Sequence, residues 1–336
     1  IVLTEEWIPI GDATHSFNGV FDGKGYTISG LLITEAGAGY KGLFGNNSGT
    51  VKNFTISGTI GKAEAYITSA AELDYYGGAV AYNSGTVAQI RGEVTVFVNS
   101  ATIYAVGGIV GQNANGATVK QCINTADMEA SKCSGGVVGR SFGVVDECVN
   151  TGNIAGNAHR KDGIAGIVGL AGDKNSTYAN TVKNCYNMGT ISNGDTNGGR
   201  WTGGIVGMAD SATGVYNCYN VGVIVPGYSW NWNPIIGHVD FKYVGVHNNY
   251  SLEGLEAGDG NAETQPNTVG IVTSEADFKA PEMIGKLGGS YTMDVTNING
   301  GYPILLWQAT GTEIAESTTI SEGGVYYITS EMQGTI

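Results

Sequence analysis

Short apolar segments bounded by glycine recur along the chain. They share the pattern Gly-apolar-apolar-Gly, or a degenerate form of it, at residues 42–45, 78–81, 108–111, 136–139, 166–169, 204–207 and 234–237. Their starts are separated by 36, 30, 28, 30, 38 and 30 residues. A constant core with unequal spacing is typical of a repeated structural unit that carries loop insertions.

A second apolar segment follows each of these after a turn. It starts at Val51, Val87, Val119, Val145, Val182, Val215 and, less regularly, His247. Three positions later stand Phe54, Ile90, Cys122, Cys148, Cys185, Cys218 and Tyr250. A third short segment starts near Ile60, Met128, Ile154, Ile191 or Ile224. These runs, bounded by Gly and Asn, predict three short β-strands per unit, and no 3.6-residue periodicity predicts a helix.

Three strands in a unit of about thirty residues predict an all-β, single-stranded parallel β-helix of seven or more coils. Each coil would pair its backbone with the coils above and below, about 4.8 Å away. The general preference for right-handed crossovers predicts a right-handed solenoid. A β-propeller is the main alternative, but its blades need about 40 to 45 residues and four strands, and the unit here is shorter.

Four of the five cysteines, Cys122, Cys148, Cys185 and Cys218, occupy one position of the repeat. Stacked coils hold equivalent Cβ atoms about 4.8 Å apart, beyond the usual 3.5–4.5 Å of a disulfide. The pattern therefore predicts a ladder of free, buried thiols that pack as small apolar groups, with a disulfide scaffold as the alternative.

Asparagine occupies the position two residues after each of these cysteines, at Asn124, Asn150, Asn187 and Asn220. Its amide can bond the amide of the next coil, and Asn tolerates the left-handed backbone conformation, so we expect an inward ladder at a bend. The Val and Cys positions, three residues apart, both carry mainly apolar residues and are both expected to be buried. A regular strand would place them on opposite faces, so a bend or bulge between them is predicted.

Composition and charge exclude several classes of partner. The 336 residues include 55 glycines, 30 acidic and 16 basic residues, which gives a net charge of −14. Nucleic-acid binding needs clustered Lys and Arg, so it is excluded, and an anionic membrane surface is disfavoured for the same reason. No apolar run reaches the roughly 18 residues of a membrane helix. The chain starts at Ile1 without an initiator Met and ends as if within a strand, which predicts a segment of a longer protein.

The repeated Gly-Ile-Val-Gly, followed by Val-x-x-Cys-Tyr-Asn-x-Gly, resembles the GLUG-motif repeats of bacterial cell-surface proteins. Residues 7–28 resemble the usual entry into such a region, and residues 299–307 resemble its exit. The resemblance implies a β-helix over residues 1–308, with an N-terminal cap at 1–34, coils at 35–254 and a C-terminal cap at 255–308. Residues 309–336 would begin a following β-rich module.

The same resemblance implies an extracellular, cell-surface location and brings no catalytic residues with it. The family includes N-terminal regions of immunoglobulin A1-cleaving metallopeptidases, but the His-Glu-x-x-His motif is absent here. No cysteine pair has zinc spacing, and His15, His159, His238 and His247 have no partner at metal or triad spacing. No cofactor is therefore expected.

Catalysis on a β-helix would need acidic side chains stacked on adjacent coils. The position after the leading valine carries Lys120, Asp146 and Lys183 in three successive coils, which predicts an outward charge ladder. Glu147 is next to Asp146 and would point to the other side of a strand. No acidic pair stacks in the aligned positions, so the sequence favours a non-catalytic protein.

An aromatic group supplies the candidate binding residues. Tyr228, Trp230 and Trp232 alternate, so they would share one side of an extended segment, and Trp201 stands at the corresponding place in the preceding coil. Flat rings beside Asn and Ser suit a glycan or a protein partner, and packing over the sheet is the alternative.

The sequence therefore predicts a non-catalytic adhesin or stiff spacer of a bacterial surface protein, with a glycan or a host surface protein as its partner. The alternative is a polysaccharide lyase or glycoside hydrolase with a carboxylate cluster in the longer loops at 61–76, 156–164 or 193–202.

Overall fold

A computed structural model describes residues 1–34, 39–66, 74–99, 105–130, 133–156, 163–172, 180–194, 201–210, 213–225, 232–239, 245–255, 268–309, 312–313 and 326–327. The chain forms two compact units, Ile1–Thr273 (unit 1) and Ser274–Ile336 (unit 2). The boundary between them falls inside the segment 255–308 that the sequence assigns to a cap.

In its described residues, unit 1 contains two parallel sheets of seven strands each. The first sheet consists of Tyr40–Lys41, Tyr75–Gly77, Ala105–Gly107, Cys133–Gly135, Gly163–Ala165, Trp201–Gly203 and Trp232–Asn233. The second sheet consists of Phe44–Asn47, Val80–Asn83, Val110–Asn113, Val138–Ser141, Val168–Ala171, Val206–Ala209 and Ile236–Val239. The glycine-bounded segment of each repeat joins a strand of the first sheet to a strand of the second.

The third parallel sheet holds the remaining strands of unit 1. They are Val20–Asp22, Thr27–Ile33, Thr50–Tyr66, Thr86–Asn99, Thr118–Lys120, Ile123–Asn124, Met128–Ala130, Val144–Asp146, Val149–Asn150, Ile154–Gly156, Asn180–Lys183, Tyr186–Asn187, Ile191–Asn193, Thr213–Tyr216, Tyr219–Asn220, Ile224–Val225, Gly245–His247, Tyr250–Leu252 and Ile271–Thr273. The first two complete coils contribute one continuous strand each, of 17 and 14 residues. In later coils the same side is divided into shorter pieces.

The register of these strands confirms the predicted all-β parallel β-helix with three strands per coil. Phe44 pairs with Val80, Val80 with Val110, and the series continues in register to Ile236. In the third sheet Val51 pairs with Val87, and Val87 with Val119. Equivalent residues of successive coils therefore form columns, and the valine column lies in one apolar core that runs through the coils.

Residues 1–34 pair with the first complete coil. Val20–Asp22 and Thr27–Ile33 both pair in parallel with Thr50–Tyr66. Single bridges join Ile10 to Phe44 and Phe17 to Asn47 in the second sheet. This segment therefore forms a partial coil at the N-terminal end of unit 1.

A left-handed residue explains how the valine and cysteine positions are both buried. The residue before each cysteine position has a φ of 51° to 62°, at Asn53, Gln89, Gln121, Glu147, Asn184, Asn217 and Asn248. This conformation turns the backbone between Val119 and Cys122, so that both side chains enter the core. The left-handed column is thus the one before the cysteines, and the prediction that placed this conformation at Asn124, Asn150, Asn187 and Asn220 is wrong.

The alignment of the last coil also differs by one residue from the sequence alignment. Val215 pairs with Val246, and Tyr219 pairs with Tyr250. The last coil therefore begins its second segment with Val246 rather than His247, because the buried apolar residue sets the register. Asn249, not Tyr250, follows Cys218 in the cysteine column.

Unit 2 contains two short helices, α1 (Glu275–Phe278) and α2 (Glu282–Leu287), which the sequence pattern does not predict. Ser274 caps α1 by accepting a hydrogen bond from the Asp277 backbone N–H at 3.2 Å. The helices are too short for a clear 3.6-residue pattern. Tyr291–Thr292 pairs antiparallel with Ile304–Leu305, a 3₁₀ turn covers Leu306–Gln308, and Thr312–Glu313 pairs with Tyr326–Tyr327.

Candidate functional site

Two of the four predicted aromatic binding residues lie within the described part of the chain. Trp201 is half-buried in the first sheet and Trp232 is buried in the next coil of the same sheet. Tyr228 and Trp230 lie outside the described residues, so the structure does not describe the platform that the sequence predicts around them.

The two described tryptophans do not occupy one column. Trp232 pairs with Thr202, one residue after Trp201, and Trp201 pairs with Gly163. Because neighbours on a strand face opposite sides, Trp201 and Trp232 do not share one face of the first sheet. The Trp201 ring instead stacks on His238 of the second sheet, with centroids 4.8 Å apart and an interplanar angle of 8°.

The thiol column consists of Cys122, Cys148, Cys185 and Cys218, and all four side chains are buried and form no disulfide. Each sulfur lies close to the backbone of its own coil, as in the 3.0 Å contact from Cys185 Sγ to the Lys183 carbonyl. The backbone N–H of Cys148 points to Cys185 Sγ at 3.4 Å, and the Cys185 N–H to Cys218 Sγ at 3.4 Å. Burial raises the pKa of the Cys122, Cys148 and Cys185 thiols well above the ordinary value.

Asn249 ends the thiol column with a carboxamide. Its Oδ1 accepts a hydrogen bond from the Cys218 backbone N–H at 3.0 Å, and its Nδ2 donates to the Val215 carbonyl at 2.8 Å. The amide thus satisfies two backbone groups at the last coil, where the earlier coils place a sulfur. When the repeats are aligned by sequence, Tyr250 takes this position, so the role of Asn249 is visible only in the structure.

The buried thiols should resist alkylation in the folded protein. We expect iodoacetamide at pH 8.5 to leave Cys122, Cys148, Cys185 and Cys218 unmodified, because they are buried and the raised pKa of the first three keeps those thiols protonated. In strong denaturant all four should react. Mass spectrometry after each treatment gives the measurement, and native labelling of the column would contradict its burial.

The inner amide ladder consists of Asn124, Asn150, Asn187 and Asn220, which are all fully buried. The Nδ2 of each of the first three donates to Oδ1 of the next Asn at 2.8 Å. In all four, Nδ2 also donates to the carbonyl two residues later in its own coil, at 2.8 to 3.0 Å. The ladder therefore fixes the spacing of four coils.

A second buried ladder runs through the first coils of the second sheet. Asn47 Nδ2 donates to Asn83 Oδ1 at 2.8 Å, Asn83 to Asn113 at 2.9 Å, and Asn113 to Ser141 Oγ at 3.2 Å. Its sign in the sequence is an asparagine three residues after the apolar pair of the glycine-bounded segment. Only three coils carry this asparagine, so the repeat is too short to stand out in the sequence.

The charge column on the outer face of the third sheet follows the predicted order. Lys120 pairs with Asp146, and Asp146 with Lys183. Asp146 Oδ2 lies 3.3 Å from Lys183 Nζ, and Asp146 Oδ1 accepts a hydrogen bond from Asn184 Nδ2 at 2.7 Å. Asn184 belongs to the left-handed column, and so does Glu147, whose turn places it on this same outer side. The expectation that Glu147 points away from it is therefore wrong.

The last two coils of this face depart from the repeat. The outward-facing column two residues before the charge column holds Thr118, Val144 and Thr181 in successive coils. Gly214 and Gly245 follow in the last two coils. Two residues after these glycines stand Tyr216 and His247, which pair with each other. A Cβ at Gly214 would lie 2.6 Å from the Tyr216 hydroxyl oxygen, so the Tyr216 side chain runs along the sheet surface over this glycine.

An outer amide ladder lies beside these rings. It consists of Asn184, Asn217 and Asn248: Asn217 Nδ2 donates to Asn184 Oδ1 at 3.2 Å, and Asn248 Nδ2 to Asn217 Oδ1 at 3.4 Å. At its end is an open cleft of about 190 Å³, lined by Val246, His247, Asn248, Asn249, Gly270 and Ile271. The sequence gives no positive sign of this site, because the repeat departs here by two glycines in place of larger side chains.

A second aromatic group lies between the first and second sheets. Tyr40 and Tyr75 stack with centroids 5.4 Å apart, and Tyr82 lies 5.4 Å from Tyr75. Burial raises the pKa of Tyr75 to about 12. The three rings pack with Ala81 and Ala105 in a small apolar cluster that is separate from the main core.

Within the described residues, no three His, Cys, Asp or Glu side chains come together in a way that could hold a metal ion. None of the described helices has the length and apolar character needed to cross a membrane. The central parts of the loops proposed for a carboxylate cluster, 67–73, 157–162 and 195–200, lie outside the described residues.

Comparison with known proteins gives short, partial sequence matches. No family model matches the chain. It is 35% identical over 107 residues to halomucin of Haloquadratum walsbyi, and 32% identical over 90 residues to a "Putative Gly-rich membrane protein" of Evansella cellulosilytica. These matches cover 31% and 26% of the chain, but only 1% and 10% of the two relatives. The GLUG resemblance therefore stays a prediction.

One solved structure is similar over most of the chain. It is described as a putative immunoglobulin A1 protease from Bacteroides ovatus, and it matches with a TM-score of 0.57 and 18% identity. The match covers 91% of this chain and 83% of that one. At this identity the likeness shows the fold alone, and it agrees with the parallel β-helix described above.

Proposed function

We propose that this chain is a non-catalytic, extracellular segment of a bacterial cell-surface protein, in which unit 1 supports a binding surface as an adhesin or a spacer. The observation that carries the proposal is the uninterrupted stack of ladders. Contacts between neighbouring coils connect Cys148 through Cys218 in the thiol column and Asn124 through Asn220 in the inner amide ladder. A core of this kind holds successive coils at a fixed spacing, so it can support a binding surface on their outer side.

Two further observations support an extracellular role. One relative is named halomucin and another a Gly-rich membrane protein, and both are far longer than the matched region. In solenoid proteins, stacked repeats form extended surfaces that bind partners. The partner in this proposal is a glycan or a host surface protein, and the resemblance to the GLUG-motif repeats of surface proteins supports the cell-surface location.

The location can be tested with antibodies raised against the 336-residue chain and used on intact cells that produce the full-length protein. Labelling of unpermeabilised cells, with a cytoplasmic protein that stays unlabelled as control, is the expected result. Labelling that appears only after permeabilisation would rule out the surface role.

The absence of catalysis is tested on the same purified chain. Incubation with a panel of polysaccharides should release neither reducing ends nor unsaturated products above a heat-denatured control. Robust turnover would instead favour a polysaccharide lyase or glycoside hydrolase.

A further inference from the structure

The outer face of unit 1 changes its chemistry at its C-terminal end. In earlier coils the column holds Thr118, Val144 and Thr181, whose side chains occupy the space that the Tyr216 ring takes over Gly214. Gly214 removes this obstacle where the Tyr216 ring stands two residues later, and Gly245 repeats the glycine in the next coil before His247. A local departure from the repeat is expected where a functional requirement, rather than packing, selects the residues.

The glycine brings the Tyr216 ring down onto the sheet. The hydroxyl oxygen lies 3.4 Å from Thr181 Oγ1 of the preceding coil, which holds the end of the side chain. Tyr216 is half-buried and so retains an accessible surface. His247 follows in the next coil, and a Cβ at Gly245 would lie 3.7 Å from its Nε2. Two rings on neighbouring coils, about 4.8 Å apart along the stack, thus run along one surface.

Hydrogen-bonding groups lie next to the rings. Asn248 is exposed, and its Oδ1 accepts no hydrogen bond from the described residues, while its Nδ2 is held by Asn217. The adjoining cleft has a volume of about 190 Å³, and Asn248 and Asn249 line it beside His247. An amide offers both donors and acceptors, which matches the hydroxyl groups of a sugar.

The charges nearby favour an uncharged ligand. Asp146 and Lys183 form an ion pair at 3.3 Å, and the whole chain carries a net charge of −14. An anionic polysaccharide would meet this field unfavourably. A ring surface with neighbouring amides is instead suited to a sugar, which has an apolar face and polar edges.

The geometry points to a binding subsite for a neutral glycan chain formed by Tyr216, His247, Asn248 and the cleft beside them. The inference rests on the proposed surface function, because it gives that function its ligand class and its place on unit 1. It differs from the predicted platform around Trp201 and Trp232, which belongs to the first sheet.

The test uses native gel electrophoresis of the 336-residue chain in gels that contain galactomannan, xyloglucan or arabinoxylan, with polygalacturonate as the anionic arm. We expect at least one neutral polysaccharide to retard the chain, and Tyr216→Ala to raise the apparent Kd at least tenfold. Tyr26→Ala removes an exposed tyrosine at the opposite end of unit 1 and should bind as the wild type does.

Gly214→Val gives the sharper variant. The equivalent column position of the third sheet already holds Val144, so the fold should tolerate valine, yet the new side chain would displace the ring without removing it. We expect a loss of affinity similar to that of Tyr216→Ala, with unchanged circular dichroism and an unchanged unfolding midpoint.

The subsite is refuted if no neutral polysaccharide retards the chain, if polygalacturonate alone does so, or if Tyr216→Ala or Gly214→Val binds as tightly as the wild type. These outcomes would leave the surface location and the absence of turnover untouched, because intact-cell labelling and product release are measured separately.

Discussion

Replacing Asn187 by alanine is expected to lower the free energy of unfolding by about 3–5 kcal/mol. The side chain is fully buried, and it accepts from Asn150 Nδ2 at 2.8 Å while donating to Asn220 Oδ1 at 2.8 Å and to the Gly189 carbonyl at 2.9 Å. Its removal leaves buried polar groups of both neighbouring coils without a partner. Urea unfolding of the 336-residue chain, followed by circular dichroism, gives the measurement.

Asn153→Ala is the matched control. Asn153 is exposed and accepts one hydrogen bond, from the Thr190 backbone N–H at 3.0 Å, so its loss should cost about 0.5 kcal/mol. Equal losses for Asn187 and Asn153 would show that the ladder contributes little.

Asn187→Asp tests the donor role of the same side chain. The introduced carboxyl group would be buried against acceptors, so its pKa in the folded state should rise above its unfolded value of about 3.9. A raised folded pKa means that the variant is closest to wild-type stability below about pH 4 and loses stability as the pH rises. The difference from wild type in unfolding midpoint at pH 4 and pH 7 measures this, and a pH-independent difference would contradict it.

Gly136→Ala is expected to cost about 3 kcal/mol. A Cβ at this position would lie 2.3 Å from Asn150 Oδ1 and 2.3 Å from the Gly166 carbonyl oxygen. Both groups are buried between coils, so neither can move without breaking the inner amide ladder or the strand register. The first glycine of the glycine-bounded segment is therefore required by the asparagine of a different strand.

Gly245→Ala is the control for the glycine effect. Its Cβ would meet only His247 Nε2, at 3.7 Å, which is an ordinary contact. Stability should stay the same or rise slightly, because alanine reduces the freedom of the unfolded chain. A double variant, Gly136→Ala with Asn150→Ala, should cost less than the sum of the two single changes, because the second removes one of the two clashing groups. Strict additivity would argue against the contact.

Much of the fold could be predicted from the sequence because each coil repeats the same side-chain requirements. The spacing of the glycine-bounded segments predicted the coils, and the valine and cysteine positions predicted the columns that pair in the structure. The paired glycine and asparagine could also be seen in the sequence, but not the contact between them. Gly136 and Asn150 meet only after the chain has passed around the coil.

Other features lack a sequence signal of their own. The left-handed column holds residues as different as Gln121, Glu147 and Asn184. These residue types do not share a preference for the left-handed conformation, so the sequence does not indicate it. The Tyr216 site depends on Gly214, an absent side chain two residues earlier, which the glycine-rich composition conceals. The last coil was misaligned because its leading residue follows an irregular stretch, and only burial of Val246 distinguishes it from His247.

The inner amide ladder has a direction, because in each of its three bonds between coils the Nδ2 donates toward the C-terminal coil and the Oδ1 accepts from the N-terminal one. Each asparagine therefore presents the same two groups to its neighbours. Loss of one whole period from the middle would bring Asn124 opposite Asn187 and restore the same bond. Duplication of a period would extend the series in the same way. The reach of such a protein can thus change by whole coils during evolution, without new side-chain chemistry at the junction.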